Sequence, residues 1–309
     1  MFVTRIYLIL SLLLLAGNGK AQRTITKSAR PAIDNATYKK NSVNNTLLWE
    51  ISGKGLKKPS YLFGTMHILC ADDAQLSTGL KNIIKNSDVV YLELDMDNKE
   101  EILGAVEYLR MTDGTKLSDL LTKEEFARVE NYFKTSKFPL PVFMLNRFKP
   151  YLVTALIGEQ LMDCEKKNGM EERIMEETKL YSREIKGLET MKFQAGLFDS
   201  IPYEKQAKEL MQYIDSLDNY RKVNQQMVDA YKTQNLEYMD ELIHKSDPGL
   251  EEYLDLLVYS RNRNWVKQIP EIINNQSVLF AVGAGHLPGK QGVISLLRKQ
   301  GYTVKPLKN

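Results

Sequence analysis

The stretch Ser60–Cys70, SYLFGTMHILC, decides how the chain is read. It is apolar and β-prone up to Gly64 and then delivers His67, one of only three histidines in 309 residues. Near the other end Ser277–Gly289, SVLFAVGAGHLPG, repeats the pattern with Gly283 and His286. In both stretches a glycine stands three residues before the histidine. It is expected to let the chain leave the strand in a conformation that other residues resist.

Working outward, LLWEIS (47–52) and SYLFGT (60–65) are short strands joined through a Gly/Lys/Pro turn, which predicts a hairpin. STGLKNIIKNS (77–87) follows with Leu80, Ile83 and Ile84 at helical spacing and Ser77 as its cap. DVVYLELD (88–95) is then a nearly continuous apolar run, expected of a strand buried on both faces. The C-terminal stretch has the same grammar: strand SVLFAVG, helix GKQGVISLLRKQG ended by Gly301, strand YTVKPL. A parallel strand–helix–strand unit puts its loop at the carboxyl edge of the sheet, where ligand sites collect. If both units join one sheet with the usual handedness, both histidines reach the same edge.

Between the two units the pattern is helical from Glu100 to about Tyr181, interrupted at Gly114 and by prolines up to Pro150. REIKGLET (Arg183–Thr190) is a short strand-like segment, and a second helical block runs from about Pro202 to Gln268, broken near KSDPG. The expected fold is α/β. A central mixed sheet is built from two related strand–GxxH–helix–strand halves, 47–98 and 277–309, flanking a large helical insertion, 99–276.

The first 21 residues read as a signal peptide: Arg5, an apolar run Ile6–Ala16 too short to span a bilayer comfortably, then small residues Gly17–Ala21. Residues 22–46 are polar and aperiodic, a flexible leader to the domain 47–309. The expectation is an exported protein, periplasmic or secreted, with no membrane span after signal removal. A net charge of +3 from 42 basic and 39 acidic residues, with no long basic run, argues against nucleic acid as a partner. Cys70 and Cys164 could pair in an oxidising compartment or remain two buried thiols; metal ligation by Cys70 is a less favoured third reading.

Two histidines alone make an incomplete metal site. Glu93 interrupts the apolar run VVYLEL, and burying an unpaired carboxylate is costly, so it needs a partner. It is the candidate third ligand or general base, against the plainer reading of a strand running out into solvent. Glu189 in KGLET ends a second strand and is another candidate. Arg261 in YSRNRNW could hold a substrate carboxylate or steady an oxyanion, although a structural ion pair is its default reading. Glu171 and Glu172 suit the first turn of a helix on dipole grounds alone. His244 is read as structural. No P-loop, HExxH or GxSxG motif is present.

GTMH and GAGH, with YLELD, GLET and SRNRNW between them in that order, resemble the TraB/GumN family, related to Tiki proteases and more distantly to erythromycin esterases and a haem-binding group. The resemblance covers about Leu48 to the C-terminus. It implies metal-dependent peptide hydrolysis, with His67, His286 and Glu93 as metal ligands and Glu93, Glu189 and Arg261 as catalytic residues. The cofactor would be a divalent ion such as Mn, Co or Zn, and the partner a peptide or protein substrate. GMEE (169–172) stands where relatives often carry Asp after the glycine, so Glu171 is a further candidate. The alternative is a non-catalytic periplasmic binder that sequesters a peptide, a metal or haem in the same cleft. A structural envelope protein is a third, plainer reading, ranked last because it leaves the two matched GxxH turns and the acidic residue in an apolar strand unexplained.

Overall fold

The computed structural model describes residues 45–136, 138, 140–246 and 251–309. The signal segment 1–21, nearly all of the leader and most of the KSDPG break lie outside the described residues.

The chain forms an α/β fold on a mixed six-stranded sheet ordered β6-β4-β7-β2-β1-β8. Strands β1 (Leu48–Ser52) and β2 (Ser60–Thr65) are the expected hairpin, with Leu48 opposite Phe63 and Trp49 opposite Leu62. Gly53 and Gly55 take positive φ in its turn, a conformation that strains residues with a Cβ. Strand β2 then pairs in parallel with β7 (Val278–Gly283), and β7 with β4 (Val89–Leu94). Strand β6 (Glu184–Glu189) adds in parallel beside β4, and β8 (Thr303–Pro306) antiparallel beside β1. All six residues of β7 are buried, as its continuous apolar run requires of an inner strand covered on both faces.

The first and last units are therefore neighbours in space. Thr65 lies opposite Gly283 where β2 and β7 end, and Leu94 lies opposite Glu189 where β4 and β6 end. Four parallel strands deliver their carboxyl ends to one edge.

The helix Thr78–Asn86 starts where Ser77 predicts: its side chain accepts the Leu80 N–H at 3.0 Å. Leu80 and Ile84 face the core. The middle helices pack around Pro150–Gln160, in which every residue from Pro150 to Glu159 is buried, the pattern of an interior helix. One feature departs from the helical reading of 100–181. Strand β3 (Leu69–Cys70) pairs with β5 (Lys167–Asn168) in a small antiparallel sheet. Two-residue strands carry no periodicity, so nothing local announces them. Beside them Cys70 and Cys164 are joined in a disulfide, Cα atoms 5.8 Å apart, which settles the cysteine alternatives.

Among the described residues no helix is long and apolar enough to cross a membrane.

Candidate metal centre

Each candidate side chain reaches the carboxyl edge by a short local route. His67 lies two residues beyond the end of β2, and Glu93 is the penultimate residue of β4. Glu189 ends β6, and His286 ends a 3₁₀ turn, Ala284–His286, that follows β7 directly. A π-helical turn, Asp255–Tyr259, runs into the helix Ser260–Ile272 and presents Arg261 and Asn262 in its first turn.

The two GxxH glycines are needed for close approach rather than for unusual dihedrals. Neither adopts positive φ. A Cβ on Gly64 would stand 3.0 Å from Leu287 Cδ1 and 3.1 Å from Ala284 Cα and Cβ, so only glycine lets β2 lie against the turn that carries His286. The Gly64 carbonyl accepts the Tyr231 hydroxyl at 3.0 Å. A Cβ on Gly283 would sit 3.2 Å from Glu93 Oε1, 3.3 Å from His67 Nε2 and 3.5 Å from His286 Cδ2. The three residues thus converge on one small space that Gly283 leaves open.

Glu93 is buried and fully engaged. Its Oε1 accepts the Gly283 N–H at 2.8 Å, and its Oε2 accepts from Arg261 Nη2 at 2.5 Å and Gln194 Nε2 at 3.2 Å. Burial pushes its pKa up, but Arg261, His286, His67 and the Gly283 N–H together hold it well below the usual carboxylate range. Glu189 takes the other side of the guanidinium, with Arg261 Nε and Nη2 donating to its Oε2 at 2.9 and 2.8 Å. Gln194 links the two carboxylates, donating to Glu189 Oε2 at 3.0 Å. Burial disfavours the Arg261 charge, but the two carboxylates outweigh it and keep the guanidinium protonated. The guanidinium also lies 4.9 Å from the Trp265 ring centre, and Trp265 packs at 4.5 Å on the His286 ring.

Both imidazoles have Nδ1 occupied. Asn262 Nδ2 donates to the His286 and Gln291 carbonyls, which turns its Oδ1 toward His286 Nδ1, 2.6 Å away. The ring proton therefore sits on Nδ1 and the lone pair on Nε2. That lone pair accepts a 3.3 Å bond from Arg261 Nη1 and stands 3.8 Å from Glu93 Oε1. Burial, and after it Arg261, pushes the His286 pKa down to about 3, so the ring is neutral. His67 has Glu171 Oε1 2.6 Å from its Nδ1. Burial favours the neutral ring, but Glu171, by charge and hydrogen bond, and then Glu93 outweigh it and raise the His67 pKa.

This chemistry fits a divalent cation. Glu93 Oε1 and His67 Nε2 stand at the space at Gly283 with the Cδ2 edge of the His286 ring, whose Nε2 is held by Arg261 Nη1, and each imidazole has an oxygen against its Nδ1, the usual support of a metal-bound histidine. The spacing is not closed, however: among the described residues no three His, Cys, Asp or Glu side chains stand as a ready ion cage.

A small cleft of about 70 Å³ opens over this edge, with His67, Gly283 and Gly285 in its lining. His67 is the more exposed of the two histidines, with 13% of its side chain accessible against 2% for His286.

All five of the sequence-derived candidates meet here, and Glu171 joins them as the partner of His67. His244 stands apart, its Nε2 bonded to the Tyr259 hydroxyl. Sequence reasoning passed over Gln194 and Asn262. Asn262 lay inside SRNRNW, beside Arg261, and that adjacency was its only signal; Gln194 had none.

The TraB/PrgY/gumN family model matches residues 47–306. Among curated proteins the chain is similar to Metalloprotease TIKI1 of Xenopus tropicalis, 23% identical over 90% of this chain and 65% of that protein. It is 25% identical to a Metalloprotease TIKI homolog of Amphimedon queenslandica, over 86% of this chain and 62% of that protein. It is 21% identical to Metalloprotease TIKI2 of Danio rerio, over 84% and 61% respectively. The chain thus spans less than two thirds of the length of these relatives. No solved structure matches it. The matched span includes both GxxH turns and every side chain of the site just described, and on it the chain belongs to the TraB/PrgY/gumN family.

Proposed function

We propose that the protein is an exported, metal-dependent peptidase. The observation that carries this is the space at Gly283, with Glu93 Oε1, His67 Nε2 and the His286 ring each within 3.5 Å of the missing Cβ. His67, His286 and Glu93 would hold the ion. A divalent cation so held supplies Lewis acidity that polarises a carbonyl and acidifies water towards neutral pH.

The remaining residues have distinct tasks. Glu93 is a poor general base, because a carboxylate held so far below its usual pKa gives little drive for proton abstraction. It serves as a ligand. Glu189 has its oxygens on Arg261 and Gln194, so it positions the guanidinium rather than reacting. Arg261 spends its N–H groups on Glu93, Glu189, His286 and the Leu257 carbonyl, so it is the fixed positive group that holds the acidic side chains in place. The Glu171 carboxylate stands 2.6 Å from His67 Nδ1 as its charge partner, and His67 Nε2 faces the space at Gly283.

Names of relatives support a metal and a peptide or protein substrate, and the disulfide supports export, since such bonds persist in oxidising compartments. The test uses protein purified without a histidine tag. We expect about one bound divalent ion per chain, lost in His67→Ala and His286→Ala. Peptide cleavage with Mn²⁺, Co²⁺ or Zn²⁺ should vanish in both variants and in Glu93→Gln. Equal metal content in all proteins, or cleavage indifferent to these substitutions, would overturn the reading. Tight peptide binding without cleavage would favour a sequestering protein instead.

A further inference from the structure

The cleft itself says which residue of a peptide it can take; this inference rests on the peptidase reading. Its apolar wall is made by Met162, Met227, Met239 and Ile243. Methionine is unbranched and polarizable, so a wall rich in it adapts to flexible hydrocarbon guests.

Two buried polar atoms in the lining lack partners. Thr65 Oγ1 and Asn224 Oδ1 make no hydrogen bond, although Thr65 is 2% and Asn224 9% exposed. A buried acceptor left unpaired is costly, and a guest carrying an N–H would recover that cost. Asn224 and the methionine wall belong to the same cleft, whose lining also includes His67 and Gly283. Hydrocarbon wall, unpaired acceptors and candidate centre therefore serve one guest: an apolar residue with its backbone amide.

We propose that this cleft is the subsite for an unbranched or γ-branched aliphatic side chain, of the methionine or leucine kind, on a residue flanking the scissile bond, with Asn224 Oδ1 accepting that residue's backbone N–H.

The test is a peptide series identical except at one position, which carries Leu, Met, Gly, Asp or Lys. Binding is measured by fluorescence anisotropy on Glu93→Gln protein, and cleavage on wild type. Leu and Met peptides should bind about tenfold or more tightly than Gly, Asp or Lys peptides. Met162→Trp, at a partly buried wall position, should erase that preference without lowering the melting temperature. Asn224→Leu should weaken the whole series alike. Equal binding across the series, a preference for Asp or Lys, or a preference untouched by both Met162→Trp and Met239→Ala would overturn the subsite. Cleavage without an aliphatic preference would remove the subsite and leave the peptidase. An aliphatic preference in binding, with no cleavage under any metal, would leave the subsite and remove the peptidase.

Discussion

Gly283 donates its backbone N–H to Glu93 Oε1 at 2.8 Å, and its missing side chain is the space on which Glu93, His67 and His286 converge. The backbone there, with φ −48°, would accept any L residue, so the constraint is steric alone. Gly283→Ala should therefore fold, losing about 1–3 kcal/mol to overpacking, yet on the proposed function cleave peptide roughly 10²-fold more slowly because Glu93, His67 and His286 are pushed apart. Turnover and metal content beside a thermal melt would check this. A variant with normal activity would show that the convergence has no role.

Arg261 separates two buried carboxylates. Arg261→Met would leave Glu93 and Glu189, 7% and 5% exposed at the side chain, facing each other with the charge between them gone. Breaking such a group should cost about 3–5 kcal/mol in urea unfolding. Adding Glu93→Gln and Glu189→Gln to that variant should restore much of the loss. Additive losses in the triple variant would contradict the account.

The two histidines should give opposite pH signatures in chelator-treated protein. The unfolded chain binds a proton at His286 near the ordinary value of 6.5, while the folded protein refuses it down to about 3. Its contribution to stability is therefore present above that window and lost as pH falls through it. His67 is raised in the fold, so its contribution is complete below its unfolded pKa and lost as pH rises through the folded one. Chemical denaturation of wild type, His286→Gln and His67→Gln between pH 4 and 8 reads both as differences. His286→Gln should flatten the acid loss, and the wild-type advantage over His67→Gln should shrink towards alkaline pH. Parallel pH profiles for all three proteins would refute the assignment.

The Cys70–Cys164 disulfide closes a loop across 94 positions. Removing it in a Cys70→Ser/Cys164→Ser protein should cost about 4–5 kcal/mol through the entropy returned to the unfolded chain. Cys70 lies three residues from His67, in the strand that pairs with β5, so turnover should also fall in the folded fraction. Unchanged stability on reduction would mean that the small β3–β5 sheet holds without the bond.

Much of the architecture was legible because its signals are local. The hairpin, the Ser77-capped helix, the buried β4 run and the strand before Glu189 each follow from periodicity, caps or turn residues within about ten positions. Even the unlikely carboxylate in VVYLEL could be singled out, since a charge in an apolar strand demands a partner. The reason for the GxxH glycines was not legible. They were expected to supply unusual dihedrals, whereas they allow close contact with Ala284, Glu93 and His67.

By itself the sequence determined most of the strands and helices of the main sheet and its flanks, and which few residues stand out against their local pattern, because those facts depend on neighbours along the chain. Tertiary structure alone decided that β2 lies beside β7, that Gln194 bridges two glutamates, that Asn262 and Glu171 stand against the two imidazole Nδ1 atoms, and that Cys70 meets Cys164. These pairings join residues far apart in sequence, and only the packing of the sheet and its helices chooses among the many partners that each side chain could have taken.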